Sequence, residues 1–163
     1  MLVVSNTSPI CNLAIIGRLH LLQDQLGEIR IPAAVQRELD QLSHADGSKA
    51  VQLAITQGRI QPVALQDDKI ARLLQTALHP GEAEAIALAL NLPADLILLD
   101  ERDGRMTAER GGLRVTGVLG VLLKAKKDGQ IQAVKPELEA LRTGARFFGS
   151  AQLERKILDL AGE

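Results

Sequence analysis

Short apolar runs alternate with helical patterns along the chain, and this order restricts the fold more than any other feature. Between the runs, apolar residues recur at the spacing of one helix face. Such an alternation predicts an α/β fold with a mainly parallel sheet of about five strands, covered on both faces. The strands are predicted at Leu2–Val4, Glu28–Ile31, Ile60–Val63, Leu96–Leu99 and Leu113–Val115.

The helical segments follow from periodicity and from capping residues. Ser8 before Pro9 and Thr116 before Gly117 are typical N-caps. Residues 43–49 are polar and are predicted to form a loop. The helices are predicted at Ser8–Gly17, Arg18–Leu26, Ala33–Leu42, 49–57, Asp67–Ala77 (with Ile70, Leu73 and Leu74 buried), Glu82–Leu90, Glu101–Arg110, Gly117–Lys127, Pro136–Leu141 and Ser150–Leu160. Without a repeat or linker, residues 1–163 are expected to form one domain, with the helices of about 136–160 packed on it.

Composition excludes several classes of protein. The net charge of −1 rules out a globally basic nucleic-acid binder but permits a local basic patch. The single cysteine excludes a disulfide framework. No apolar run approaches the roughly 20 residues of a membrane span, and the N-terminus lacks a signal-peptide pattern, so a cytoplasmic protein without membrane contact is expected.

Only two aromatic residues are present, Phe147 and Phe148. So few rings argue against a binder that stacks bases on an aromatic platform. The pair either plugs the core or anchors a partner, and the sequence leaves both open. If the pair anchors a partner, a homo-oligomer is expected, because aromatic residues are enriched at interfaces.

Several polar residues follow the predicted strands. Asn6 follows the first and Asp100 the most apolar one, with Asp103 close behind; Glu38 and Glu82 lie on helices that follow other strands. Ligands of parallel sheets sit beyond the carboxyl ends of the strands. Converging carboxylates repel one another unless a cation binds, and Mg²⁺ or Mn²⁺ prefers such oxygen ligands.

Each of these residues also has a simpler interpretation. Asn6 and Asp100 are both good helix caps, Glu38 alone is more often a surface residue, and Glu82 would stabilise a helix N-terminus. Glu84 lies about 200° around the helix from Glu82. Since Glu82 shares a face with apolar residues, it is the preferred site residue, and Glu84 is expected to be solvated or to support the site from outside.

Five segments in this order resemble the PIN-domain superfamily, and in particular a prokaryotic branch described as nucleic-acid-binding PIN-like proteins. The resemblance covers residues 2 to about 160. The segments are VVSNTSP at 3–9, IPAAVQREL at 31–39, GEAEAIALA at 81–89, LLDERDGR at 98–105 and VTGVLGVLLKAK at 115–126.

This resemblance implies a three-layer α/β/α sandwich and an Mg²⁺- or Mn²⁺-dependent ribonuclease, as in VapC-type toxins, which pair with a small antitoxin protein. The metal ligands it implies are Asn6, Glu38, Glu82 and Asp100, with Asp103 auxiliary, and the catalytic residues are Glu38, Glu82 and Asp100. Asn6 stands where PIN nucleases usually have Asp. The alternative is therefore a non-catalytic module that binds nucleic acid or an antitoxin. A phosphoaspartate enzyme is disfavoured, because Asn6 cannot be its nucleophile.

A modest basic excess follows Asp100. Residues 100–128 carry seven basic and five acidic side chains, whereas residues 1–99 carry seven basic and ten acidic ones. Arg102 and Arg105 are the candidates for contact with an RNA backbone. A solvated helix face with ion pairs explains the same pattern.

Overall fold

A five-stranded, fully parallel sheet forms the centre of the protein in the computed structural model, which describes all 163 residues. The strand order is β3-β2-β1-β4-β5. The predicted parallel α/β sheet is therefore confirmed. The strands are β1 (Val3–Ser5), β2 (Ile29–Ile31), β3 (Ile60–Pro62), β4 (Leu96–Leu98) and β5 (Val115–Thr116).

Ten helices surround the sheet. They are α1 (Thr7–Ile15), α2 (His20–Leu26), α3 (Ala33–Asp40), α4 (Ala45–Thr56), α5 (Lys69–Leu74), α6 (Pro80–Asn91), α7 (Arg102–Arg110), α8 (Val118–Lys127), α9 (Lys135–Gly144) and α10 (Ala151–Leu160). The apolar helix α6 packs over β1 and β4 with α3 and α5 beside it, while α8 packs with α2 and α10. The result is the three-layer α/β/α sandwich that the resemblance implied.

The direction of the chain across the sheet reverses next to β1. The strands β1, β2 and β3 follow one another to one side, and β4 then returns to the other side of β1, with Ser5 opposite Leu98. The carboxyl ends of β1 and β4 thus border a topological switch point, the usual ligand crevice of an open parallel sheet. Residues that follow these two strands are placed at that crevice by topology alone.

One hydrophobic cluster of 34 buried residues joins the sheet to the helices on both faces. The central strands are buried on both sides, which explains why Val3 and Val4 of β1 and all of β4 are consecutive apolar residues rather than alternating ones. Leu138, Leu141 and Ile157 bring α9 and α10 into the same cluster. None of the helices is long and apolar enough to cross a membrane.

The predicted loop at residues 43–49 is wrong beyond His44. Helix α4 begins at Ala45, because the Nδ1 atom of His44 accepts a hydrogen bond from the Gly47 N–H at 2.9 Å and caps the helix. Two predicted caps are also wrong. Asn6 and Gly117, not Ser8 and Thr116, occupy the N-cap positions of α1 and α8.

Helix α5 is shorter than predicted, and its apolar residues are more exposed. The prediction buried Ile70 and Leu73, but their exposed fractions are 37% and 70%, and Ala71 is the buried residue. Leu74, the third residue predicted to be buried, is partly buried and packs against the hydrophobic core. The prediction was therefore right for Leu74 and wrong for Ile70 and Leu73, because α5 packs beside α6 through Ala71 and Leu74.

Candidate active site

Asn6 lies directly after β1, at the switch point. Its backbone N–H donates to the Leu98 carbonyl oxygen at 3.1 Å, which ties the end of β1 to β4. Asn6 is only 3% exposed, and its side chain does not bond the first turn of α1 although it occupies the N-cap position. The capping interpretation of this residue is therefore wrong.

Asp100 follows β4 and turns toward helix α8. Its Oδ1 atom accepts a hydrogen bond from the Val118 N–H at 2.8 Å, and its Oδ2 atom accepts one from Asn12 Nδ2 at 3.4 Å. Asp100 thus supports the N-terminus of α8, not of α7 as its capping interpretation proposed. Burial raises the pKa of Asp100 to about 6 despite these hydrogen bonds.

Glu82 is a buried carboxylate in the first turn of α6, with an exposed fraction of 5%. Its Oε2 atom is buried and has no hydrogen-bond partner. Burial, and then the negative charge of the neighbouring Glu101, raise the pKa of Glu82 to about 7. An unpartnered buried anion is unfavourable, so this carboxyl group is suited to hold either a proton or a cation near neutral pH.

Glu38 reaches the same region from α3. Its carboxylate accepts a hydrogen bond from the Thr7 hydroxyl, at the start of α1. Cys11, one turn further along α1, lies near it: burial, and then the charge of Glu38, raise the pKa of the Cys11 thiol to about 11. The thiol therefore stays protonated and is not a nucleophile.

A glycine lies against each of the three acids. A Cβ atom on Gly81 would lie 2.6 Å from Glu38 Oε2, one on Gly104 would lie 2.5 Å from Glu82 Oε2, and one on Gly117 would lie 2.5 Å from Asp100 Oδ1. Real Cβ atoms essentially never approach so closely. Any side chain at these positions would displace a carboxylate, so the glycines allow the acids their present positions.

Helix α1 supports the acids with two pairs of side chains. Ser8 Oγ donates to Glu101 Oε1 at 3.0 Å, and Asn12 donates to Asp100. Residues four apart share one helix face, so Ser8 and Asn12 reach consecutive acids. Glu101 was not among the predicted site residues; two adjacent acids directly after the most apolar strand were the signal that could have found it.

Glu84 supports the site indirectly, through helix α3. Its Oε2 atom accepts a hydrogen bond from the Ala34 N–H at 2.8 Å, where four N–H groups of the first turn lack helical partners. Glu82 and Glu84 therefore point to different surroundings, as their angular separation predicted. The bond links α6 to the helix that carries Glu38.

The comparisons with known proteins give a consistent result. A family model described as a PIN domain matches residues 2–163, nearly the whole chain. The chain belongs to the PIN-domain family. No curated protein and no solved structure matches it significantly. The PIN domain has a nuclease-like fold, and Asn6 and Asp100 follow the ends of its neighbouring strands β1 and β4.

The two candidate arginines of the PIN domain differ in their surroundings. Arg105 Nη1 donates to the Leu99 carbonyl oxygen at 2.7 Å, so this half-buried side chain fixes the end of β4 and places a positive charge near Asp100. Arg102 is exposed and forms no salt bridge. The Asp103 carboxylate is also exposed, and it takes no part in the hydrogen bonds among the acids.

Each acid lies near the next one, but the carboxylates do not surround a common point. Glu38 lies against Gly81, the next residue is Glu82, and Glu82 neighbours Glu101, which follows Asp100. No three His, Cys, Asp or Glu side chains lie close enough to form a metal site by themselves. The donors are all oxygen atoms, which fits Mg²⁺ or Mn²⁺ holding several waters rather than zinc.

Proposed function

We propose that this PIN domain is a metal-dependent ribonuclease whose centre is Glu82 and Asp100. The observation that carries the proposal is the Glu82 carboxylate, buried with an unpartnered oxygen atom beside the carboxylate of Glu101, the residue that follows Asp100. A divalent cation would remove the cost of both buried charges.

The residues that would hold Mg²⁺ or Mn²⁺ are Glu82 and Asp100, with Glu38 and the Asn6 amide oxygen as further donors. Mg²⁺ retains several waters and needs only one or two carboxylates, so a complete protein cage is not required. Asp103, at the exposed start of α7, stays an auxiliary candidate. When bound, such a cation activates water and neutralises charge on a phosphodiester.

The side chains around the acids have separate tasks in this proposal. Asn12 and the Val118 N–H orient Asp100, and Ser8 orients Glu101. Arg105 fixes the strand end, and the exposed Arg102 is free to contact a phosphate. We further propose that the nuclease is the toxin of a toxin–antitoxin pair, with a small antitoxin protein encoded beside it, and that the PIN domain self-associates.

A second candidate function rests on Asn6. A neutral amide in place of a carboxylate weakens cation binding, and no three acids form a site by themselves. A non-catalytic module that binds nucleic acid or an antitoxin would tolerate both features. The two candidates differ in one property, metal-dependent cleavage.

The deciding experiment incubates single-stranded and structured RNA with the protein in Mg²⁺, Mn²⁺ or EDTA. We expect cleavage that depends on the metal and falls by more than about a hundredfold in Glu82→Gln and Asp100→Asn, because even an outer-shell change costs 10–100-fold. Glu139→Gln, an exposed carboxylate on α9, is the matched control. Equal background cleavage by the wild type and the variants would favour the binding module.

A further inference from the structure

Glu101 is an exposed acid whose side chain takes neither of the ordinary roles of its position. It occupies the N-cap position of α7, yet its carboxylate forms no capping hydrogen bond with the first turn of that helix. Arg105, four residues later, is suitably spaced for an ion pair, but it forms none and donates to the Leu99 carbonyl oxygen instead. Neither capping nor charge pairing therefore explains where the Glu101 side chain lies.

The Glu101 carboxylate lies beside the like-charged carboxylate of Glu82. Ser8 on α1 holds it there, because Ser8 Oγ donates to Glu101 Oε1 at 3.0 Å. Two adjacent carboxylates repel each other, and an exposed side chain is free to turn away into water. A shared proton or a cation would remove this repulsion. With Asp100 next in the chain, a divalent cation neutralises more of the charge than a single proton does.

The buried oxygen atom of Glu82 independently indicates a ligand at this place. Glu82 is 5% exposed, and its Oε2 atom has no hydrogen-bond partner and lies against Gly104, in the first turn of α7. Glu101 precedes that same turn, so the unpartnered atom and the Glu101 carboxylate lie at one end of α7. Since Mg²⁺ or Mn²⁺ needs only one or two carboxylates besides its waters, this pair is sufficient to bind one ion.

We propose that Glu101 is a ligand of the divalent cation bound by Glu82, and that it supplies the negative charge that Asn6 does not. The inference rests on the proposed function, because it concerns the same metal centre. Asn6 brings a neutral amide to the end of β1, which makes the centre less negative than an aspartate would. Glu101 restores that charge from the N-terminus of α7, so the centre keeps its attraction for a cation without an acid at position 6.

A large cleft makes Glu101 accessible to a metal ion. The cleft has a volume of about 1070 Å³ and extends from Asp100 and Glu101 to the connection between α9 and α10, residues 145–150. Glu109, near the other end of α7, is exposed and lines the same cleft, but it takes no part in the hydrogen bonds of the acids. Glu109 is therefore the matched control for removing one carboxylate from this cleft.

The test measures the binding of Mn²⁺ alone, from the electron paramagnetic resonance signal of the free ion. We expect Glu101→Ala to weaken Mn²⁺ binding by at least about tenfold, since even changes outside the ligands of a metal cost 10–100-fold. Glu109→Ala should bind Mn²⁺ like the wild type. Adding Asn6→Asp to Glu101→Ala should recover most of the loss, because it returns a carboxylate to the centre. Failure to recover it would overturn the proposed compensation for Asn6.

Water proton relaxation separates direct ligation from a general effect of charge. A lost ligand is replaced by water, so Mn²⁺ bound to Glu101→Ala should carry an additional water molecule. Weaker binding with an unchanged number of waters would show that Glu101 acts only through its charge, and this would overturn the inference. Because Glu101 is exposed and caps no helix, Glu101→Ala should melt in EDTA at the same temperature as Glu109→Ala.

The outcomes distinguish this inference from the proposed nuclease. Equal Mn²⁺ affinities of Glu101→Ala and Glu109→Ala would overturn the inference, whereas metal-dependent cleavage that is lost in Glu82→Gln would leave the nuclease in place. Mn²⁺ binding that depends on Glu101, without any RNA cleavage, would support the inference and remove the nuclease. A wild type that binds no Mn²⁺ would overturn both.

Discussion

The Glu82 carboxylate lies against Gly104, so no space remains for a side chain at position 104. A Cβ atom there would lie 2.5 Å from Glu82 Oε2. Both residues are buried, one at the start of α6 and the other inside α7. The position of the unpartnered oxygen atom thus depends on a glycine in a different helix, 22 residues further along the chain.

Gly104→Ala is expected to impair the metal site without unfolding the protein. Alanine favours a helix interior by about 1 kcal/mol over glycine, which offsets part of the cost of moving Glu82. The measurement is the rise in melting temperature on adding Mg²⁺, because a ligand that binds only the folded state stabilises it. We expect most of that rise to be lost. Gly144→Ala, with no atom closer than 3.6 Å to the added Cβ, should keep it.

Glu82 should make the metal-free protein less stable as the pH rises. Its pKa is about 7 in the folded protein, against an ordinary value of 4.5, so the folded state binds more protons between these values. The contribution of Glu82 to stability is therefore fully present below pH 4.5 and is lost as the pH rises through 7.

Glu82→Gln removes this titration. In EDTA at pH 8 the variant should be about 1–3 kcal/mol more stable than the wild type, because one pKa unit corresponds to 1.36 kcal/mol. At pH 4 the two should differ little. Urea denaturation at both pH values measures this, and a constant difference at the two would contradict the buried-charge explanation.

Asn6→Asp should bind metal more tightly at the expense of stability without metal. The new carboxylate would be buried beside other acids, since residue 6 is 3% exposed. We expect a loss of about 1–2 kcal/mol in EDTA, the cost of one poorly solvated polar group, and recovery in Mg²⁺. Any RNA cleavage should also increase. Asn91→Asp, an exposed change at the end of α6, is the control; equal responses of the two variants to Mg²⁺ would exclude Asn6 as a ligand.

An ion pair should add to the apolar packing that attaches helix α9. Arg18 Nη2 lies 2.7 Å from Glu137 Oε1, and Arg18 Nε donates to both carboxylate oxygens at 3.1 Å. Arg18→Ala leaves Glu137 buried without a partner and should lower the free energy of unfolding by about 2 kcal/mol. Arg72→Ala breaks the exposed pair with Asp68 and should cost less than about 0.5 kcal/mol. Chemical denaturation distinguishes the two, and equal losses would refute a special role for Arg18.

The parallel sheet and the places of Asn6 and Asp100 were predictable because both follow from strand order. A strand buried on both faces must be apolar throughout, and residues that follow neighbouring parallel strands meet at one edge. Helical periodicity likewise predicted correctly that Glu82 faces inward and that Glu84 faces a different side of the helix. These predictions needed only local patterns and one topological rule.

Other features depend on contacts between distant residues. The cap that starts α4 is the Nδ1 atom of His44, a residue with no strong capping preference. Glu101 is held by Ser8, 93 residues earlier in the chain, and no local pattern records that bond. Phe147 packs against the hydrophobic core, whereas the adjacent Phe148 is 73% exposed. Sequence spacing cannot reveal these relations.

The far wall of the cleft is a connection between two helices, and residues 145–150 make no hydrogen bond to any of the acids. Replacing this hexapeptide should therefore leave the hydrogen bonds among the acids in place. Changes in this connection are thus decoupled from the geometry of the carboxylates.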